Sequence, residues 1–93
     1  MIVSFRSKET EAIWHGEASR RLPPDIQQTA RRKLRMLNNA RSLMDLRVPP
    51  ANRLEVLKHD RKGQHAIRIN DQWRICFVWT PAGPESVEIV DYH

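Results

Sequence analysis

Three side chains that can carry protons stand next to one another at the end of the chain: Asp91, Tyr92 and His93. They follow a strand-like run at 87–90, whereas chain ends usually fray unless a sheet holds them. A carboxylate, a phenol and an imidazole can accept, donate or orient a proton, the imidazole near neutral pH. Because successive strand residues alternate between faces, we expect Asp91 and His93 on one side and Tyr92 on the other. The pattern predicts an end that is held in place and takes part in chemistry.

Two arginines on neighbouring predicted strands form a second candidate group. Apolar residues alternate along 65–69 and 73–79, and a three-residue loop at 70–72 keeps them on one face. This register puts Arg68 directly opposite Arg74 on the other face. Like charges at opposed positions destabilise a sheet, so the pair indicates an anionic ligand. The alternative is that the two side chains splay into solvent or pair with nearby acids.

Two helices are expected in the first half of the chain. Residues 2–5 suggest a short strand, after which Ser7 can cap a helix over about 8–15 that Gly16 ends. Pro23-Pro24-Asp25 begins a second helix, since proline suits the first turn. Apolar residues recur along that helix at helical spacing, which predicts one stripe facing a core.

The second half of the chain is predicted to be strands. A connector at 40–53 leads into strand-like segments at 54–58, 65–69, 73–79 and from 87 onward. A length of 93 residues allows one domain with one modest core. The sequence therefore predicts a single α+β domain over residues 1–93, with helices covering one face of an antiparallel sheet.

The excess of basic charge is concentrated in two segments. The chain has 16 Lys and Arg against 11 Asp and Glu, a formal charge of +5. Residues 20–41 hold seven of the cations against one acid, and residues 53–74 hold six against three. A basic domain suits a polyanion such as nucleic acid. If the two segments fold against each other, they form a phosphate-binding groove.

Several function classes find no support in the sequence. The lone cysteine, Cys76, stands in an apolar run and is expected to be a small buried hydrophobe. The four histidines show no metal-ligand spacing, so neither metal nor cofactor is expected. The N-terminal residues lack an apolar stretch long enough for a signal peptide or a membrane span, which favours the cytoplasm.

Four stretches resemble the HigB branch of the RelE-like toxins, also described as plasmid-maintenance killer proteins, with the GraT-like proteins among them. They are Met1–Phe5 (MIVSF), Leu57–Gly63 (LKHDRKG), Ile67–Ile75 (IRINDQWRI) and Val87–His93 (VEIVDYH). The resemblance covers nearly the whole chain. It implies a RelE-like fold, in which two N-terminal helices pack on a curved antiparallel sheet. It also implies a metal-independent endoribonuclease that cuts messenger RNA, typically on the ribosome.

The resemblance further implies a partner, a HigA-type helix-turn-helix antitoxin. Toxin and antitoxin together would repress their own operon, so that operator DNA is bound only through the complex. Without the resemblance, the same basic domain would suit a non-catalytic nucleic-acid-binding module. A third possibility is a protein-interaction module that uses its apolar stripe and Trp14.

The resemblance assigns roles to the two candidate groups. Arg68 and Arg74 would bind the phosphate, since a guanidinium offers a bidentate fork. His93 would carry protons, and Asp91 would orient it or act as a base itself. Tyr92 would stack on a nucleobase or pack structurally. The flanking candidates for substrate binding are Glu55, Lys58, His59, Arg61 and Lys62.

Glu55 departs from the family pattern, because some relatives carry a histidine at that position. Either the general base differs here or the position is not essential. His59 and His65 lie nearby in sequence and could take over. His65 is expected on the core side with Ile67, as a buried histidine with its hydrogen bonds satisfied.

Overall fold

A computed structural model describes residues 1–92 of the protein. The chain order is two helices, a connector and four strands, and the strands form one antiparallel sheet in the order β1-β2-β3-β4. The helices are α1, Lys8–Trp14, and α2, Pro24–Asn39; the strands are β1, Glu55–Val56, β2, His65–Arg68, β3, Trp73–Thr80, and β4, Gly83–Asp91. Short 3-10 helices lie at Leu43–Arg47, Pro50–Asn52 and His59–Arg61. The predicted α+β architecture is confirmed.

The core lies between the two helices and one face of the sheet. The apolar stripe of α2 is buried, as predicted from its spacing. It packs against alternate residues of the strands, among them Ile67, Ile75 and Phe77. Arg31 ties the helices together, because its Nε donates to the carbonyl oxygen of Ile13 at the end of α1 at 2.9 Å. Orphan carbonyls at a helix end need such partners.

The hairpin of β2 and β3 has the register predicted from the sequence. Arg68 lies opposite Arg74 and Ile67 opposite Ile75. The Ile69 amide donates to the Trp73 carbonyl at 2.9 Å, which closes the three-residue loop. Ile67 and Ile75 enter the core, so both arginines lie on the other face of the sheet.

This second face is here called the site face. It carries Glu55, Ala66, Arg68, Arg74, Cys76, Glu88, Val90 and Tyr92. A small apolar floor of Leu57, Ala66 and Cys76 lies on it, with Val90 and Tyr92 packed alongside. The prediction of one groove between both basic segments is wrong. The stripe that packs α2 on the core face also leaves Arg32 and Arg35 exposed on the opposite side of the domain.

The N-terminal segment runs beside β4, although the predicted strand at 2–5 is reduced to one bridge. Phe5 pairs with Val87 in parallel. Arg6 N donates to Val87 O at 2.9 Å, and Val87 N donates to Ser4 O at 3.1 Å. Two bonds around a single bridge hold the segment to the sheet without forming a full strand.

The connector between α2 and β1 is held by one buried polar group. Asn52 is fully buried, accepts a hydrogen bond from Lys33 Nζ of α2, and donates to the carbonyl oxygens of Leu46 at 3.2 Å and Val48 at 3.4 Å. Lys33 is only 5% exposed. Burial, with a smaller contribution from the charge of Arg32, lowers the pKa of Lys33. The contact fixes the chain that leads to Glu55 and the site face.

Candidate active site

A cleft of about 320 Å³ opens beside the apolar floor of the site face, lined by Leu57, Lys58, His59, Asp60, Arg61, Val90, Asp91 and Tyr92. It lies between the 3-10 turn after β1 and the end of β4. Five residues singled out from the sequence border it: Lys58, His59, Arg61, Asp91 and Tyr92. Lys62 is exposed on the following turn and is not part of the lining. The turn reaches the cleft because Leu57 is buried in the floor.

Arg74 is the most enclosed cation of the site face, with its side chain 15% exposed. Its Nη1 donates to the carbonyl oxygen of Asn70 and, at 3.1 Å, to that of Trp73. Its Nε lies 3.9 Å from Glu55 Oε1, and its Cζ lies 5.4 Å from the centre of the Tyr92 ring. A guanidinium over an aromatic ring is attracted to its face. Arg74 therefore holds together the hairpin loop, β1 and Tyr92.

Arg68 is bound to a weaker partner. Its Nη2 pairs with Asp71 Oδ1, and the Asp71 side chain is 95% exposed. Of the two outcomes considered for the opposed arginines, the structure has the pairing with nearby acids. An exposed ion pair contributes about 0–1 kcal/mol, so a phosphate can replace the carboxylate of Asp71 at little cost.

The terminal triplet divides between the two faces of the sheet. Asp91 lies opposite Trp73, and its Oδ2 accepts a hydrogen bond from Gln72 Nε2 at 3.0 Å. Tyr92, one residue further, shares the site face with Arg74. Its amide donates to the Gln72 carbonyl at 2.7 Å. Asp91 and Tyr92 thus lie on opposite sides, as alternation predicts, but Tyr92 is the one beside the arginines. His93 lies outside the described residues.

Glu88 is a site-face residue that the sequence reasoning missed. It lies opposite Cys76 on β4, and its Oε1 accepts a hydrogen bond from Arg61 Nη1 at 3.0 Å. The alternation that places Tyr92 on this face also places Glu88 there, four residues earlier. That signal was present, whereas its pairing with Arg61, 27 positions away, has no local trace in the sequence.

The remaining candidates have unequal access to the cleft. His59 is exposed at its rim, on a backbone with φ of +58°. His65 stacks on Phe77 with ring centres 6.2 Å apart, on the core face as predicted. The expectation that its hydrogen bonds are satisfied is wrong, because Nδ1 is buried without a partner among residues 1–92. Burial raises the pKa of the Cys76 thiol to about 11, so Cys76 is floor and not nucleophile.

Comparison with known proteins identifies the family. The model of the HigB family, RelE-like toxins of type II toxin-antitoxin systems, matches residues 3–93. The chain belongs to this family. The toxin is 39% identical to Toxin HigB-1 of Vibrio cholerae serotype O1 over 80 residues, which are 85% of this chain and 84% of that relative. It is 33% identical over 63 residues to an uncharacterized protein of Haemophilus influenzae, covering 68% of this chain and 62% of that protein.

Family membership gives the class of activity. HigB toxins are endoribonucleases that cleave messenger RNA, so the toxin is an enzyme that acts on RNA and has a cognate antitoxin. The RelE-like α+β fold predicted from the sequence agrees with this membership. Over the described part of the chain, no helix has the length and apolar character needed to cross a bilayer. Nor do three His, Cys, Asp or Glu side chains within residues 1–92 converge as metal ligands would.

Proposed function

We propose that the toxin cleaves messenger RNA on the ribosome, without a metal ion, at the cleft on the site face. The observation that carries this assignment is that Tyr92 lies on the same sheet face as Arg68 and Arg74, beside a cleft bordered by Lys58 and Arg61. Cations, an aromatic ring and exposed proton carriers are thereby available to one RNA strand.

The reaction is an attack of a ribose 2′-hydroxyl on the adjacent phosphate. A base removes the hydroxyl proton, the 2′-oxygen bonds to phosphorus, and the 5′-oxygen leaves with a proton, giving a 2′,3′-cyclic phosphate and a 5′-hydroxyl. Positioned acids and bases typically supply about 10²–10⁴-fold each. Preorganised cations aimed at the developing charge contribute at least as much.

Each side chain has a proposed part in that reaction. Arg68 exchanges Asp71 for the scissile phosphate, because this pair is the more exposed one. Arg74 orients Tyr92, whose ring stacks on a nucleobase beside the attacked phosphate. His93 protonates the leaving 5′-oxygen. Asp91, bonded to Gln72, holds the end of β4 against the hairpin loop.

Residues around the cleft supply the base and further phosphate contacts. Glu55 is 41% exposed and lies 3.9 Å from Arg74 Nε. When Arg74 turns toward phosphate, Glu55 becomes free to accept the 2′-hydroxyl proton, and His59 at the rim is the alternative base. Lys58 and Lys62 are exposed on the same turn and contact the RNA backbone.

The biological setting follows from the family. We propose a HigA-type helix-turn-helix antitoxin as the partner, with operator DNA bound only by the toxin-antitoxin complex. The toxin acts in the cytoplasm, where messages are translated. A basic domain of charge +5 suits the polyanionic surface of a translating ribosome.

Mapping of message ends tests this function. The purified toxin is incubated with translating ribosomes, and new 5′ ends are mapped for the wild type, His93→Ala and His15→Ala. His15 is exposed at the end of α1, on the helical side of the domain, and serves as the matched control. We expect new ends bearing 5′-hydroxyls from wild type and His15→Ala. His93→Ala should cut about 10²–10⁴-fold more slowly.

Two other results would contradict the assignment. Identical rates for wild type and His93→Ala would remove His93 from the chemistry. Salt-sensitive retention of RNA by the wild type with no new ends would instead identify a non-catalytic binder.

A further inference from the structure

Two arginines from distant parts of the chain converge on Glu88 at the end of the site face away from the Arg68 hairpin. Arg61 Nη1 lies 3.0 Å from Glu88 Oε1, and Arg6 Nε lies 4.0 Å from the same oxygen. Arg61 belongs to the 3-10 turn that borders the cleft, whereas Arg6 belongs to the N-terminal segment. We call these three residues the Glu88 cluster.

The backbone brings the cluster together. The parallel bridge of Phe5 to Val87 places Phe5 toward the core, so the next residue, Arg6, lies on the site face beside Glu88. The hydrogen bond from Arg6 N to Val87 O, at 2.9 Å, fixes this position. Arg61 has a second anchor, because its Nη1 also donates to Gln64 Oε1 at 3.2 Å.

The cluster presents its cations outward and its carboxylate inward. The Glu88 side chain is 20% exposed, against 34% for Arg61 and 58% for Arg6. A separation of 4.0 Å is too long for a hydrogen bond. The Arg6 guanidinium donates to no side chain or carbonyl of residues 1–92 and keeps its N–H groups for another acceptor. Two guanidinium groups over one carboxylate carry a net charge of +1.

We propose that Arg6 and Arg61 bind an RNA phosphate next to the one that is attacked, and that Glu88 is their positioning residue. The proposal rests on the proposed function, because it assumes that RNA lies along the site face. Glu88 is two residues from Val90, the partner of Arg74. Two strand residues span about 7 Å, which is comparable to the separation of successive phosphates along a nucleic-acid strand. One RNA strand can thus contact both positions.

The test is RNA binding measured against salt. The probe is a single-stranded RNA with 2′-O-methyl groups, which cannot be cleaved, titrated between about 50 and 200 mM salt. Each lost phosphate contact on a single strand lowers the slope of log K against log salt by about 0.7. We expect this loss for Arg6→Gln, together with a several-fold weaker Kd. Arg35→Gln, which removes the same charge from the exposed side of α2, should leave the slope unchanged.

A double-mutant comparison tests the role of Glu88. If Glu88 positions Arg6, the effect of Arg6→Gln on the slope becomes smaller in a Glu88→Gln background. The same loss of about 0.7 in both backgrounds would show that Glu88 does not position it. Thermal unfolding of each variant checks that the domain remains folded.

The outcomes separate this proposal from the proposed function. Message cutting by the wild type, with Arg6→Gln and Arg35→Gln equal in RNA binding, would overturn the second phosphate site alone. Salt-dependent binding that requires Arg6, with no message cutting, would overturn the nuclease assignment and leave the phosphate site standing. Absence of RNA binding by the wild type at low salt would overturn the phosphate site.

Discussion

Replacing Asn52 with alanine should destabilise the domain by about 3 kcal/mol. The side chain is fully buried and makes three hydrogen bonds, one of them from the Lys33 ammonium group. A hydrogen bond to a charged group contributes about 1.5–3 kcal/mol. The two bonds to carbonyl oxygens are long, 3.2 and 3.4 Å, so each is taken at the lower end of about 0.5–1.5 kcal/mol.

This loss is large for a domain of 93 residues, whose total stability is expected to be about 5–15 kcal/mol. At about 4–8 °C per kcal/mol, the Tm of Asn52→Ala should fall by about 12–24 °C. Asn39→Ala is the matched control, because Asn39 is exposed at the end of α2. Its free energy of unfolding should stay within about 0.5 kcal/mol of the wild type.

Urea unfolding of Asn52→Ala, Lys33→Met and the double variant measures the coupling directly. Each single change leaves a buried polar group without its partner, whereas the double change removes both. We therefore expect the double variant to be at least about 1 kcal/mol more stable than the sum of the single effects predicts. Equal unfolding free energies for Asn52→Ala and Asn39→Ala would refute the reasoning.

The pH dependence has a defined sign. Burial lowers the pKa of Lys33 below its ordinary 10.5, so in that window the unfolded chain binds more protons than the folded one. The free energy of unfolding therefore rises with pH between the lowered pKa and 10.5. Lys33→Met should abolish this rise, and unchanged pH curves for wild type and variant would contradict it.

Three further predictions concern other contacts of the site face and its edge. Arg74→Ala should lower the free energy of unfolding in urea by about 2 kcal/mol, because two carbonyl bonds and the contact with Tyr92 are lost. Gly83→Ala should displace the Met1 carbonyl, since a Cβ would lie 2.2 Å from its oxygen on a backbone with φ of +127°; a cost of about 1–3 kcal/mol in thermal unfolding is expected. Cys76 should resist iodoacetamide at pH 8 while folded and react on unfolding, because burial raises its thiol pKa to about 11.

Local rules were sufficient for most of the fold. The core stripe of α2 follows from helical spacing, and the opposition of Arg68 and Arg74 follows from alternation and loop length alone. The N-terminal segment was harder to predict, because its hydrogen bonds go to Val87, more than eighty positions away. The connector at 40–53 depends on Asn52, a residue whose burial no periodicity indicates.

The site depends on one irregularity that the sequence analysis did not foresee. Counting from the β3–β4 turn, Thr80 pairs with Gly83 and Val78 with Glu85. The same register continued along the strands would put Asp91 on the face of Arg74 and Tyr92 on the core face.

A bulge changes that outcome. Between Val78 and Cys76 the pairing shifts by one residue, so that Ser86 and Val87 both lie opposite Phe77, and Ser86 has a φ of +53°. An extra residue in one strand exchanges the faces of everything beyond it. It brings Tyr92 beside Arg74. The chemistry available to the site face is therefore set by the backbone at Ser86 as much as by the identity of the terminal residues.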